Sequence, residues 1–112
     1  MVGVLPVRVR MTPRRLTLGY REVRLEADGL LGPAGSVLRG HEFHASHLEA
    51  PPVGVEPTYR VLDPTGGESW REGYRIRNTL VSYVHLHVGS RPGTAEAFVA
   101  ACARARERLS TR

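Results

Sequence analysis

Residues 79–93 read Thr-Leu-Val-Ser-Tyr-Val-His-Leu-His-Val-Gly-Ser-Arg-Pro-Gly, an apolar run followed by a short Gly/Pro loop. The run from Thr79 to Val88 is the most apolar in the chain and predicts a strand buried on at least one face, in the centre of a sheet. Thr94 can cap the helix that follows, and Glu96 places a negative charge at its positive end. Strand, loop and helix form a βα unit, which indicates an α/β architecture.

The predicted helix runs from Thr94 to about Leu109. Apolar residues recur along it at helical spacing and form one stripe, which is predicted to pack on the sheet. The stripe consists of Phe98, Cys102, Ala105 and Leu109. Cys102 is the single cysteine, so it has no partner for an intramolecular disulfide and is predicted to lie in the core.

The rest of the chain is predicted to be rich in strands separated by Gly and Pro. The turn-forming stretch Asp63–Gly67 joins two segments that look like a hairpin. The predicted extended segments are Val4–Arg10, Leu16–Leu25, Ser36–Leu48, Tyr59–Leu62 and Glu72–Arg77. The prediction is one α/β domain over residues 1–112, strand-rich, with a C-terminal helix packed on the sheet.

Composition is that of a globular protein: 41% of the 112 residues are hydrophobic and 24% are charged. No apolar run approaches the roughly 20 residues of a membrane helix, so no membrane partner and a cytoplasmic location are predicted. The net charge of +5 comes from scattered arginines, which does not favour nucleic-acid binding. Strand arginines such as Arg8 and Arg10, with a few aromatics, leave that function as an alternative.

His85 and His87 are the first candidate site residues. They are two positions apart on the predicted strand, so they project to the same face. They also lie at its carboxyl end, where active sites gather in open α/β sheets. The alternative is that His85 is a histidine with only structural hydrogen bonds inside a sheet.

A second histidine group, His41, His44 and His47, raises the question of a metal site. On a continuous strand His41 and His47 face one side and His44 the other, and no cysteine accompanies them. No metal site is therefore predicted, although a surface site shared with His85 and His87 stays open. Glu42 is predicted either to orient an active-site group or to be a solvated or salt-bridged strand residue.

Three motifs occur in order: Leu-Gly-Tyr-Arg-Glu-Val at 18–23, Arg-Gly-His-Glu-Phe-His-Ala-Ser at 39–46 and Ser-Tyr-Val-His-Leu-His-Val-Gly-Ser at 82–90. From about Gly3 to about Val99 the chain resembles the C-terminal portion of cobyrinic or hydrogenobyrinic acid a,c-diamide synthases. The resemblance implies part of a class I, flavodoxin-like glutamine amidotransferase domain, which in that family follows an ATP-using synthetase domain.

The resemblance also implies a chemistry and its residues. In that family a cysteine attacks the carboxamide of glutamine, and a histidine of the Tyr-x-His motif, here His85, is its base. The released ammonia amidates the a and c side-chain acetates of the corrin precursor of cobalamin. His87 stands where many class I amidotransferases have a glutamate that orients the histidine, so it is expected either to help position His85 or to line the pocket. His41, Glu42 and His44 are further candidates to line the pocket.

The chain departs from the family pattern because no cysteine precedes Cys102, and a helical cysteine cannot replace the nucleophile. The chain also lacks the Gly-rich phosphate loop of the synthetase, so ATP and Mg are expected only in a missing synthetase segment, and no cofactor is predicted here. We expect a fragment, a split gene product or a decayed remnant that is inactive without a Cys-bearing upstream segment. The alternative is a non-catalytic binding or interaction module, and exposed sheet edges predict a homo-oligomer.

Overall fold

A computed structural model of the chain describes residues 3–111. A 3₁₀ turn, Val88–Ser90, precedes the one α-helix of that range, α1, which spans Thr94–Ser110. The strands are β1 (Val9–Met11), β2 (Thr17–Leu25), β3 (Val37–His44), β4 (Ser46–Leu48), β5 (Pro57–Leu62), β6 (Ser69–Ile76), β7 (Thr79–Val81) and β8 (His85–His87).

Six strands form one sheet in the order β7-β6-β5-β2-β3-β8, and β1 pairs with β4 in a second, two-stranded sheet. All of these pairings are antiparallel. The strand-rich α/β class with a C-terminal helix is confirmed. The site, however, does not lie at a shared carboxyl edge of parallel strands, because neighbouring strands here run in opposite directions.

The prediction of one central strand over Thr79–Val88 is wrong. This segment forms β7 at one edge of the six-stranded sheet and β8 at the other. Only Ser82, Tyr83 and Val84 join them, and four residue steps span at most about 14 Å. The two edges must therefore approach each other, so the sheet curls around its inner face.

The core lies inside this curl. Val23 and Leu38, opposite each other on β2 and β3, are fully buried, and Val84 enters the same cluster from the link between the two edges. The buried cluster consists of Val23, Leu25, Leu38, Tyr59, Val61 and Val84. The apolar run is thus used to plug the curled sheet as well as to form strands.

The predicted hairpin is confirmed, since β5 and β6 pair in antiparallel register from Pro57 to Leu62. Asp63 Oδ1 organises the connecting turn by accepting hydrogen bonds from the backbone N–H of Thr65 at 2.9 Å and of Gly66 at 3.3 Å. These bonds, led by those from Thr65, lower the pKa of Asp63. The Asp-Pro-Thr-Gly-Gly stretch forms the turn that its composition predicts.

Two other strand predictions need correction. The segment Ser36–Leu48 is interrupted at Ala45, and its two parts, β3 and β4, pair with different strands. Of the segment Val4–Arg10, Val9 and Arg10 are in β1. Both predictions assumed one uninterrupted strand, whereas the bend at Ala45 lets β4 leave the six-stranded sheet for β1.

The buried stripe predicted on α1 is also wrong. Phe98 is 49% exposed and Leu109 is 66% exposed, and Cys102 lies on the surface instead of in the core. The helix is held through its first turn, where Thr94 is fully buried, and Gly93 rather than Thr94 occupies the N-cap position. Beyond this turn, the side of α1 that carries Ala101 and Arg104 borders a depression formed with Asp28 and Arg75, and most of the predicted stripe is exposed.

Within residues 3–111 no helix is long and apolar enough to cross a membrane.

Candidate functional site

His85 lies on the outer face of the curled sheet, on the edge strand β8. The register places it directly opposite His41 of β3. His85 Nδ1 lies 3.2 Å from His41 Nε2, and the two rings meet edge to face with centroids 4.8 Å apart. Both side chains are exposed. The structure therefore brings two of the predicted site histidines into one contacting pair.

Gly40 lets β8 come this close to β3. A Cβ atom at Gly40 would overlap the main-chain carbonyl oxygen of His85. Gly40 thus supplies space beside the backbone of the candidate base. A glycine is therefore required at this position of the Gly-His-Glu-Phe-His motif because a larger residue would collide with the backbone of His85.

His87 follows on the same strand and is also exposed. It stands opposite Arg39 in the register, and its ring lies against Gly89. Since residues two apart on a strand share a face, His87 lies beside His85. The hydrogen-bonding neighbour of His85 is nevertheless His41, from a motif more than forty residues away.

Glu42 and His44 lie on the opposite, inner face of β3. Glu42 Oε2 accepts a hydrogen bond from Arg21 Nε at 2.7 Å, and the two side chains are only 5% and 9% exposed. His44 Nε2 lies 3.3 Å from Glu42 Oε1. Alternation along the strand separates these groups from His41 and His85, so the five candidate residues divide between two faces instead of lining one pocket.

The inner face holds a polar network that binds the segment before His85. Glu72, which is buried, accepts hydrogen bonds from Ser82 Oγ and from the backbone N–H of Tyr83, both at 2.6 Å. The Tyr83 ring stacks on His44 at 3.9 Å, and its hydroxyl lies 2.9 Å from Ser46 Oγ. These contacts fix the start of β8 and thereby the backbone position of His85.

A cleft of about 420 Å³ opens on this inner face. Charged and aromatic side chains border it, including Arg21, Glu42, His44, Asp63, Trp70, Glu72 and Tyr83. His47 borders it as well, so the expectation that His41 and His47 share a face is wrong. The bend at Ala45 breaks the alternation on which that expectation rested.

The sequence analysis assigned no role in the site to Arg21, Glu72 or Tyr83, although Arg21 and Tyr83 lie within the quoted motifs. Their roles depend on pairings between distant strands, which no local spacing reveals. A weak signal exists in Glu72, an acidic residue in a strand whose neighbours Gly73 and Tyr74 are buried. A buried carboxylate requires hydrogen-bond donors, and the adjacent link between β7 and β8 provides them.

No group of three or more His, Cys, Asp or Glu side chains in the described part of the chain is arranged to hold a metal ion. ATP with Mg is commonly held by a phosphate loop of the Walker type. A Walker-type phosphate loop needs a lysine after its glycines, and the sequence contains no lysine.

The sequence of the chain matches a known protein family. Residues 1–93 match the family described as CobB/CobQ-like glutamine amidotransferase domain, and the chain belongs to that family.

The similar curated proteins are a,c-diamide synthases. The chain is 46% identical to the cobyrinate a,c-diamide synthase of Syntrophotalea carbinolica, over 91% of the chain and 23% of that protein. It is 41% identical to the hydrogenobyrinate a,c-diamide synthase of Streptomyces coelicolor, over 91% of the chain and 20% of the relative. The chain thus spans about a fifth of the length of these relatives. No solved structure gives a significant match.

Proposed function

We propose that the chain is the C-terminal part of a glutamine amidotransferase that serves cobyrinate or hydrogenobyrinate a,c-diamide synthesis. The observation that carries the proposal is the family match over residues 1–93, which includes the motif around His85. Two relatives with these names support the choice of substrate class. The proposal places glutamine as the substrate of this domain and a corrin carboxylate as the acceptor of its ammonia.

His85 is the general base in this proposal. A thiol with a pKa near 8.5 is mostly protonated at neutral pH, so it needs a neighbouring imidazole to remove its proton. The thiolate attacks the carboxamide carbon of glutamine, and the carbon–nitrogen bond breaks as the imidazolium returns the proton to the departing ammonia. Water then hydrolyses the thioester, releasing glutamate and the free cysteine.

His41 positions His85. When His85 Nδ1 donates a hydrogen bond to His41 Nε2, 3.2 Å away, the other ring nitrogen of His85 keeps its lone pair free to accept the thiol proton. This is the tautomer that a general base requires. His41 thus takes the orienting part for which the sequence offered His87, while His87 lies beside the pair.

The cysteine comes from a segment other than the one described here. Cys102 lies exposed on α1, beyond the residues that match the family, and the hydrogen bond of His85 goes to His41. A Cys-bearing amidotransferase segment, on the same or another polypeptide, therefore completes the site. ATP and Mg act in a synthetase segment, and a cytoplasmic location accompanies the proposal.

The test measures glutamine hydrolysis in two samples. One is the chain alone, and the other is the chain co-expressed with the Syntrophotalea relative, which is truncated so that it ends where the match to this chain begins. We expect ammonia release only from the pair, and a loss of roughly 100- to 10,000-fold in His85→Ala. His41→Ala is expected to lower kcat and to change the pH profile, whereas Val53→Ala, in an exposed loop, leaves both unchanged. If the two polypeptides form a stable complex that hydrolyses no glutamine, the catalytic role is wrong and the alternative, a non-catalytic interaction module, is favoured.

A further inference from the structure

The outer face of β2, β3 and β8 carries an exposed apolar surface that contains the candidate base. Directly opposed residues of antiparallel strands share a face, so the register defines its rows. One row is Leu18 and Phe43, and the next is Tyr20, His41 and His85. We call these five residues the outer patch.

The large side chains of the outer patch are highly exposed to solvent. Tyr20 is 81% exposed, Leu18 is 63% exposed and Phe43 is 57% exposed. Large apolar side chains that adjoin one another on a surface, rather than lying singly, are typical of interaction sites. Tyr and Phe, the types of two of these side chains, are enriched at protein–protein interfaces.

A charged border flanks the outer patch on one side. The next row of the same face is Glu22, Arg39 and His87, by the same register. The face thus changes from an apolar row at Leu18 and Phe43 to a charged row on the other side of His85, and protein–protein interfaces likewise combine an apolar part with a polar rim. With strands about 4.8 Å apart and alternate residues about 6.8 Å apart, the three rows cover roughly 14 by 10 Å.

We propose that the outer patch is the docking surface for the Cys-bearing amidotransferase segment; this inference rests on the proposed function. A general base must lie within hydrogen-bond reach of its nucleophile, so whatever brings the cysteine to His85 has to cover the face on which His85 lies. The curated relatives are about four to five times longer than the matched region, which provides such a segment. Burial of Tyr20 and Phe43 in the same contact would exclude water from the histidine pair.

The experiment measures complex formation, not activity. Tagged wild-type chain is co-expressed with the shortened Syntrophotalea relative, and the purified complex is quantified by size-exclusion chromatography with light scattering. Phe43→Arg and Leu18→Arg place a charge in the outer patch, and we expect each to weaken the complex at least tenfold. Val53→Arg and Val99→Arg, at positions 86% and 65% exposed outside the patch, are expected to bind like wild type.

Folding is checked by comparing the thermal melts of all variants with that of the wild-type chain. Because Phe43 and Leu18 are more than half exposed, their arginine variants should melt like wild type. A complex that forms equally well with both variants would overturn the proposal. So would a wild-type chain that ignores the segment and instead forms a homodimer broken by Phe43→Arg.

Ammonia release from the same samples separates this inference from the proposed function. A complex that depends on the patch but hydrolyses no glutamine supports the docking surface and contradicts the catalytic role. Hydrolysis that survives Phe43→Arg and Leu18→Arg with the complex intact supports the catalytic role and contradicts the docking surface.

Discussion

At the scale of a single residue, Tyr59 combines a fully buried side chain with a polar hydroxyl group. Its ring is fully buried in the core, and its hydroxyl has no hydrogen-bond partner among the described residues. Burial raises the pKa of Tyr59, and the nearby Ser82 hydroxyl only partly offsets the rise. The Ser82 proton goes to Glu72 instead. The ring therefore stabilises the fold, while its hydroxyl is buried without a hydrogen-bond partner among the described residues.

Replacing Tyr59 with phenylalanine should raise the free energy of unfolding by about 1 kcal/mol or leave it unchanged. The ring keeps its packing, and the substitution removes a buried hydroxyl that is unpaired. Chemical denaturation of the two proteins measures the difference. Tyr74→Phe, which borders the open cleft, is the control and should have a smaller effect. A loss of 1 kcal/mol or more in Tyr59→Phe would mean that the hydroxyl makes a stabilising bond.

At the scale of elements, the segment from Thr79 to His87 decides the shape of the sheet. It contributes β7 to one edge and β8 to the other, and Glu72 holds the link between them through Ser82 and the Tyr83 backbone. On the far side, Gly40 gives β8 the space to pair with β3. The position of His85 is thus set by contacts with two other elements.

Gly40→Ala should destabilise the chain by roughly 1–3 kcal/mol and disturb the His41–His85 contact. The added methyl group meets the His85 carbonyl oxygen, and neither backbone can move without disrupting the pairing of β3 with β8. Denaturant unfolding measures the loss, and NMR of the imidazole protons reports the contact. Gly66→Ala is the matched control, since its Cβ would make ordinary contact with Asp63. Equal stability of the two variants would refute this account.

At the scale of the whole molecule, the described residues bury little apolar surface. Seven hydrophobic residues are buried, while fourteen large ones are exposed. The radius of gyration is 15.1 Å, compared with about 13 Å for a compact domain of this length. A folded unit with these properties gains stability from a partner that covers its surface.

The isolated chain should therefore self-associate. Within residues 3–111, strands β7 and β8 each leave one side unpaired at the edges of the six-stranded sheet, and unpaired edges recruit other strands. We expect sedimentation velocity to show dimers or larger species that increase with concentration. A cooperative melt from a species that stays monomeric at every concentration would contradict the prediction.

The sequence by itself determined the local features. Alternation identified β2, turn chemistry identified the β5–β6 hairpin, and the paired motifs at 39–46 and 82–90 identified the family. Strand alternation and turn formation depend on residues that are close together in the sequence, and the family is recognised from the residue types of its motifs.

Tertiary structure alone decided which residues meet. It divided Thr79–Val88 between two edges, placed Glu42 and His44 on the inner face, and joined His85 to His41. It also left Cys102 exposed. The prediction failed because helical spacing defines an apolar stripe but does not show whether another surface covers that stripe. Such outcomes depend on strand pairing over many tens of residues, which local periodicity does not encode.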